Sequence, residues 1–342
     1  MSQPTAFADV PEVAGTGPYF AAIDVGTNNL RLLVASIDEH GEPTVIDAFS
    51  RTVRLGAHLD AAGDIDPKAV EKAANALRIC AGKINRAGVA DYRAVATEIC
   101  RRAGNQLHFV NRVRQQARLK VEVISCEEEA RLAMLGVSPL MDDHITDCLV
   151  FDIGGGSSEI VWGQRQADGQ LKLIDQVSLP FGVVTLIDRI DEGEEARRQS
   201  YQVLKTELQV ALMEAEQRWK LRDRVSAGQV QVLGASGTVT TLAGILLGLT
   251  KYNRDEVDGT DLQTDKAGAI IDKLLAQDPE TRAKNGCIGR QRCELVLPGC
   301  AVFEAIIAIW PVDKVRVADR GVREGILIDL ARKHADKAAI AS

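Results

Sequence analysis

The stretch AAIDVGTNNLRLLVA, residues 21–35, joins two apolar segments through an Asp-x-Gly turn and decides the fold. The stretch LVFDIGGGSSEIVWG, residues 149–163, repeats this plan in the second half of the chain. Alternating apolar and β-branched residues on both sides of a short polar turn favour a β-hairpin. Two copies of one unit at this separation indicate a duplicated domain.

Short strand-like and longer helix-like segments alternate outside these hairpins, which is typical of an α/β fold. Helices are predicted at 67–87, 105–119, 127–136, 194–220, 239–249, 262–277, 302–309 and 322–333, with a polar loop at 251–261. Further strands are predicted at 92–97, 121–124, 230–237 and 314–318. Because 342 residues exceed what one core usually organises, we expect a tail at 1–18 and two domains, at 19–137 and 138–342.

Composition excludes several classes of protein. The chain carries 41 Lys and Arg against 48 Asp and Glu, for a net charge of −7, so we expect no nucleic-acid partner. Seven cysteines without a CxxC pair predict free thiols and a cytoplasmic location. The first 18 residues lack the pattern of a signal peptide, and the apolar run at 242–249 is too short to cross a membrane.

Three glycine-containing turns share one chemistry, because glycine lets backbone amides approach an anion while hydroxyls add donors. The third turn also opens a predicted helix, whose N-terminus favours anions. These turns supply the predicted phosphate-binding residues Gly26, Thr27, Asn28, Asn29, Gly154, Gly155, Gly156, Ser157, Ser158, Gly234, Ser236, Gly237 and Thr238. None of the turns fits GxxxxGK[ST], which excludes a Walker-type P-loop.

The chain resembles the exopolyphosphatase/guanosine pentaphosphate phosphatase family from about Phe20 to Leu330. The segments that support the resemblance, in family order, are AAIDVGTNNLRLLVA, RLGAHLDAAGDI, VISCEEEARLAMLGV, VFDIGGGSSEIV, SLPFGVV, LGASGTVTTLA, LPGCAVF and ADRGVREGIL. The resemblance implies an α/β fold of two actin-like (ASKHA, ribonuclease H-like) domains with a cleft between them. It also implies release of orthophosphate from inorganic polyphosphate or guanosine pentaphosphate.

The resemblance further implies roles for individual residues. Glu129 matches the family's catalytic base, and Arg101 matches the arginine placed against the scissile phosphate. Asp152 and Glu159 match acids linked to Mg²⁺ and to the attacking water, and Asp24 matches the acid of the first loop. Hard oxygen ligands next to a phosphate suit Mg²⁺.

The residues alone leave alternatives open for these positions. Glu127, Glu128 and Glu129 together fit a solvated acidic start of a helix, and sequence reasoning does not choose among them. Arg101 and Arg102 equally fit surface residues before a basic helix. Weaker cationic candidates are Arg31, Arg54 and Arg102.

The chain departs from the family pattern at several places. Cys126-Glu127 stands where the family often has Gly-Asn, which bears on the position of Glu129, and Asn29 stands where serine is frequent. Arg320 places a bulky cation beside a predicted cleft turn, which bears on substrate preference. The chain is also short for the additional C-terminal HD-type region of long family members. We therefore expect an exopolyphosphatase, with a guanosine pentaphosphate hydrolase or a non-catalytic (p)ppGpp sensor as alternatives, and a homodimer from the resemblance alone.

Overall fold

The computed structural model describes residues 18–59, 63–167 and 169–341. Its first sheet has five strands in the order β3-β2-β1-β4-β5. These strands are β1 Phe20–Val25, β2 Asn29–Ile37, β3 Pro43–Thr52, β4 Asp91–Ala96 and β5 Val121–Val123. Strands β1 to β3 are antiparallel neighbours, whereas β4 and β5 run parallel to β1.

The second sheet has six strands in the order β10-β11-β9-β6-β7-β8. They are β6 Asp147–Ile153, β7 Ser158–Arg165, β8 Leu171–Leu179, β9 Val230–Gly234, β10 Asp261–Gln263 and β11 Lys314–Val317. Strands β6 to β8 form an antiparallel meander, and β9 and β11 follow in parallel. Apart from β10, this sheet repeats the strand order of the first, so the predicted α/β fold and its duplication are confirmed.

Thirteen helices surround the sheets in the described part of the chain. They are α1 Pro67–Ala87, α2 Glu98–Arg102, α3 Gln106–Ala117, α4 Cys126–Val137, α5 Glu194–Trp219, α6 Arg222–Ser226, α7 Gly237–Leu246, α8 Arg254–Val257, α9 Thr264–Leu275, α10 Pro279–Ala283, α11 Gly289–Arg292, α12 Val296–Ile309 and α13 Val322–Ala341. Short 3₁₀ turns lie at Leu55–His58, Ser138–Leu140 and Ile187–Arg189. The predicted range of α1 is confirmed at both ends, because Asp66 caps its N-terminus and Gly88 adopts the left-handed conformation at its C-terminus.

Sequence reasoning missed the strands β3, β8 and β10. Most residues of β3 and β8 are partly or fully exposed, so these strands lack the strict apolar alternation that marks a half-buried strand. The predicted loop at 251–261 contains the short helix α8, and the helix predicted from residue 262 begins at Thr264, because β10 precedes it. Pairing with a neighbouring strand stabilises these segments, and a local pattern does not reveal it.

The last helix returns to the first sheet. Residues Val322, Ile326 and Leu327 of α13 share a buried cluster with Phe20 and Leu33 of strands β1 and β2. The predicted boundary places α13 in the second domain, and we propose to count this helix with the first sheet instead.

The tail predicted at 1–18 lies outside the described residues except for its last position. In the described ranges, no helix has both the length and the apolar character to cross a bilayer.

Helices α4 and α13 pack so closely that glycine is required at their contact. A Cβ on Gly325 would lie 1.9 Å from the carbonyl oxygen of Leu132, and one on Gly136 would lie 2.0 Å from the carbonyl oxygen of Gly321. Backbone atoms cannot move aside as a flexible side chain can, so any side chain here must separate the two helices.

Substitution Gly325→Ala should therefore lower the free energy of unfolding by about 2–3 kcal/mol, the usual effect of overpacking. The matched control is Gly82→Ala in the middle of α1, where an added Cβ meets nothing within 4 Å. This second substitution should stabilise the protein by up to about 1 kcal/mol through helix propensity. Denaturant unfolding of both variants measures the change in the free energy of unfolding. Equal changes of the same sign in the two variants would contradict the close contact between α4 and α13.

Candidate active site

Two of the three glycine turns have the same geometry. The first follows β1 and the second follows β6, and each closes with one backbone hydrogen bond. The N–H of Gly26 donates to the carbonyl of Asn29 at 3.0 Å, and the N–H of Gly154 donates to that of Ser157 at 2.9 Å. Neither these glycines nor Gly155 and Gly156 adopt a left-handed φ. Glycine is needed here for close approach rather than for an unusual backbone conformation.

The two hairpins also place an aspartate at equivalent positions, but with different partners. Asp24 lies opposite Arg31 in the first hairpin, and Asp152 lies opposite Glu159 in the second. Directly opposed side chains on antiparallel strands are about 5 Å apart at Cβ. The first hairpin therefore pairs an acid with a cation, whereas the second opposes two acids.

The first two turns face each other and are in contact at the cleft, the region between the two sheets that both turns border. A Cβ on Gly155 would lie 3.4 Å from Cβ of Thr27 and 3.5 Å from Cβ of Asn28. The second turn is held from behind by the segment after β8, where the N–H groups of Val183 and Val184 donate to the carbonyls of Gly154 and Gly155. The third turn lies next to the second, because Phe151 of β6 pairs with Gly234 of β9.

The three consecutive glutamates at the start of α4 have different surroundings. Glu127 is exposed. Glu128 is partly buried, and hydrogen bonds from Arg131 and Arg93 outweigh that burial and lower its pKa to about 2. Glu129 is buried and points into the cleft, so the structure separates residues that sequence reasoning left together.

Arg101 holds Glu129 and keeps one donor free of protein partners. Its Nη1 donates to Oε2 of Glu129 at 2.7 Å and to the carbonyl of Ile124 at 3.0 Å. Its Nη2 is buried without a hydrogen-bond partner. A buried donor in this state is unfavourable by itself, and an anion in the cleft would satisfy it.

Four carboxyl groups make the centre of the cleft acidic: Glu129 and Glu159 are buried, and Asp24 and Asp152 are partly buried. Burial, followed by the charges of Glu129 and Asp24, raises the pKa of Asp152 to about 7. Burial also raises the pKa of Glu129, of Glu159 and of Asp24, with the neighbouring carboxylates adding to each shift. Their mutual repulsion means that the ionised cluster requires additional positive charge.

Most hydroxyls predicted as phosphate donors give their proton to the protein instead. Thr27 donates to Glu98 at 3.2 Å, Ser157 to Glu159 at 2.5 Å, and Ser158 to the carbonyl of Phe181 at 2.6 Å. A hydroxyl has one proton, so these three groups do not donate to a ligand in this arrangement.

The hydroxyl side chains of the third turn have different surroundings. Ser236 caps α7 by accepting the N–H of Val239, and Thr238 is buried against Gly299 of α12. Gly237 is exposed, and the guanidinium of Arg292 lies beside it. Backbone amides at the start of α7 are available to an anion, and Ser236 also keeps its hydroxyl proton because it only accepts in the cap.

Sequence reasoning missed several charged residues of the cleft. Glu98 contacts both facing turns, and Arg323 lies close enough to Arg31 and Asp24 to influence their charge states. Buried Glu324 accepts hydrogen bonds from Arg254 and from the N–H of Gly321 at 2.9 Å each. The segment ADRGVREGIL was the available signal for Arg323 and Glu324, whereas no local pattern marks Glu98.

Arg320 does not project into the cleft as a free cation. Its Nε donates to Asp258 at 2.6 Å and its Nη1 to Glu42 at 2.8 Å, and its side chain is 11% exposed. Because Asp258 and Glu42 compensate the charge of Arg320, this guanidinium is not available for direct contact with a substrate. The predicted effect of Arg320 on substrate preference therefore has no support from such a contact. Arg54 adopts a left-handed conformation, and Arg102 pairs with Glu98.

The carboxyl groups at the cleft centre are the oxygen ligands that Mg²⁺ prefers, and burial first, then neighbouring carboxylates, raise the pKa values of Asp24 and Asp152. No group of three His, Cys, Asp or Glu side chains in the described ranges is preassembled as a complete metal site. Mg²⁺ is commonly held by one or two carboxylates together with substrate phosphates and water, so the residues present fit such an ion.

Two relatives align with more than nine-tenths of this chain. The chain is 26% identical to Exopolyphosphatase 2 of Mycobacterium tuberculosis, over 91% of this chain and 98% of that protein. It is 28% identical to the Guanosine-5'-triphosphate,3'-diphosphate pyrophosphatase of Aeromonas salmonicida, over 93% of this chain. That alignment spans 60% of the Aeromonas protein.

A solved structure shares the fold over nearly the whole chain. The Ppx/GppA family member of Aquifex aeolicus superimposes with a TM-score of 0.77 at 29% identity, covering 93% of this chain and 98% of that one. The profile of the Ppx/GppA phosphatase family matches residues 33–334. The chain therefore belongs to the Ppx/GppA phosphatase family.

Proposed function

We propose that this protein hydrolyses the terminal phosphoanhydride bond of inorganic polyphosphate and releases orthophosphate. One observation supports this most directly: Glu129 and the unpartnered Nη2 of Arg101 lie together where two glycine turns face each other. Attack of water on a phosphoryl group requires a general base for the water proton and, next to it, a hydrogen-bond donor for the phosphoryl oxygens. The names of the relatives from Mycobacterium and Aeromonas support the same class of reaction.

We assign the proton transfer to Glu129. Burial and the negative charge of Glu159 raise its pKa, which brings the group toward the range where a general base works best. When ionised, its carboxylate takes the proton of the attacking water. Arg101 keeps that carboxylate in place through Nη1 and offers Nη2 to the phosphoryl oxygens, so one guanidinium orients both reacting groups.

We propose that Asp24, Asp152 and Glu159 hold Mg²⁺ together with phosphate oxygens of the substrate. When bound, this ion would neutralise charge on the phosphoryl group. Glu159 is oriented for the task because its Oε1 accepts hydrogen bonds from Ser157 and Ser178. The exposed backbone at Gly237 and the start of α7 would receive a further phosphate.

Guanosine pentaphosphate is the second candidate substrate, because it presents the same terminal phosphoanhydride and the Aeromonas relative is named for it. A non-catalytic (p)ppGpp sensor fits less well, since pure binding requires no buried base. Homodimerisation and a cytoplasmic location stay predictions from the family resemblance and the cysteine pattern.

Substitution Glu129→Gln should lower the rate of phosphate release by about 10²–10⁴-fold, the usual contribution of a general base. Binding of polyphosphate should persist, because the amide keeps the volume of the side chain. Glu127→Gln is the matched control: it makes the same change two residues away at an exposed position. Turnover unchanged in Glu129→Gln would exclude this residue as the base.

A substrate panel separates the two candidate activities. Phosphate release from long polyphosphate, tripolyphosphate and guanosine pentaphosphate should be measured at matched Mg²⁺ concentration and again with EDTA. We expect turnover of polyphosphate and its loss in EDTA. Turnover of the nucleotide alone would reverse our choice, and full activity in EDTA would remove the magnesium assignment.

The raised pKa of Asp152 predicts how stability depends on pH without metal. Its folded-state pKa of about 7 exceeds the unfolded value of 3.8, so its stabilising contribution is complete below pH 4 and is lost as pH rises through 7. Asp152→Asn does not ionise and should exceed wild type in stability at pH 8 in EDTA by up to about 4 kcal/mol. The difference should shrink toward pH 5 and when Mg²⁺ is added. Identical pH profiles of the two proteins would contradict the shift.

A further inference from the structure

Glu98 connects the two turns that face each other across the cleft. It belongs to α2 beside the first sheet, and it is 8% exposed. Its Oε2 accepts the hydroxyl of Thr27 in the first turn at 3.2 Å. The same oxygen lies against Gly156 of the second turn, where an added Cβ would be only 2.2 Å away. One carboxylate oxygen therefore contacts both turns.

Arg102 fixes the other oxygen of this carboxylate. Its Nη1 donates to Oε1 of Glu98 at 2.8 Å, one helical turn along α2. Because Oε1 is hydrogen-bonded within α2, Oε2 is the oxygen that meets the two turns. The side chain is thus anchored on one side of the cleft and reaches the other side.

Thr27 is confined on both sides as well. Its methyl group lies against Gly56, where an added Cβ would come within 2.2 Å of Cγ2, and the N–H of Gly56 donates to the carbonyl of Thr27 at 2.9 Å. Its hydroxyl proton goes to Glu98. The first turn therefore has one favourable position, which depends on the carboxylate beside it.

We propose that Glu98 is a positioning residue that sets the separation of the two phosphate-binding turns through Thr27 and Gly156. The proposal rests on the proposed function in that both turns must contact one phosphate chain. Glu98 forms a hydrogen bond with Thr27 of the first turn and a van der Waals contact with Gly156 of the second. Together these two contacts define the distance between the turns. Because geometry in a reacting complex must hold to about 1 Å, a change in this spacing affects catalysis strongly.

Two substitutions at Glu98 separate spacing from charge. Glu98→Ala removes the contact with both turns and should lower kcat/KM by about tenfold or more, mainly through kcat. Glu98→Gln keeps the volume against Gly156 and can turn its one acceptor oxygen toward Thr27 at the expense of the bond from the exposed Arg102, so it should stay within about threefold of wild type. Glu39→Ala removes one exposed negative charge far from the cleft and controls for net charge. Equal losses in the Ala and Gln variants would overturn the spacing role.

A double substitution tests whether Glu98 acts through Thr27. Thr27→Val keeps the shape of the side chain against Gly56 and removes the hydroxyl. If both residues act through one contact, the Glu98→Ala/Thr27→Val double variant should lose no more activity than the more impaired single variant. If the activity losses of the two single variants multiply in the double variant, Glu98 and Thr27 act independently. A fall in KM in Glu98→Ala, with kcat retained, would show that the carboxylate only competes with the substrate, and it would also overturn the proposal.

Hydrogen exchange gives a readout that needs no substrate. In Glu98→Ala, the hydrogen-bonded amides of Gly26 and Gly154, which close the two turns, should exchange faster than in wild type, whereas Glu98→Gln should resemble wild type. Thermal unfolding of each variant shows whether global stability accounts for the change. If wild type releases phosphate from neither substrate, the proposed function fails, and exchange in the two turns still decides the role of Glu98. Unchanged exchange in Glu98→Ala would overturn that role.

Discussion

The rest of this cleft depends on the burial and mutual repulsion of four carboxyl groups that lie close together. Asp24 and Asp152 occupy equivalent places in two copies of one hairpin, but Arg31 faces the first and Glu159 faces the second. The duplication therefore produced an asymmetric centre, with a cation opposite the acid in one hairpin and a second acid opposite it in the other. Burial makes the charge of two opposed acids costly, which favours binding of a cation together with phosphate.

Each hydroxyl has one proton, which determines whether it can donate a hydrogen bond to a ligand in the cleft. Thr27, Ser157 and Ser158 each donate within the protein, so their oxygens accept from a ligand rather than donate to it. Recognition of an anion then depends on backbone amides, the α7 N-terminus and the guanidinium of Arg101. This division explains why a chain with a net charge of −7 is suited to a polyanionic substrate. A few correctly oriented hydrogen-bond donors bind the anion in place of a large net positive charge.

Helix geometry explains how one run of three glutamates serves different purposes. Successive residues of a helix point about 100° apart, so Glu127 faces solvent, Glu128 pairs with Arg93 and Arg131, and Glu129 reaches the cleft. The run itself reveals only an acidic start of a helix. The resemblance to the family singled out Glu129, and the rotation of α4 against the two sheets gives the physical reason.

The sequence by itself determined the α/β class, the duplicated hairpins, the range of α1 and the glycine turns, because local periodicity and turn chemistry encode them. It also named Glu129, Arg101 and the acids of both turns through their motifs. Only the tertiary structure decided which hydroxyls were already engaged, that Arg320 bridges Asp258 and Glu42, and that α13 returns to the first sheet. Glu98 belongs with these, since its neighbours Thr27 and Gly156 are far away in sequence. Such contacts depend on how distant segments pack, and no local pattern records that packing.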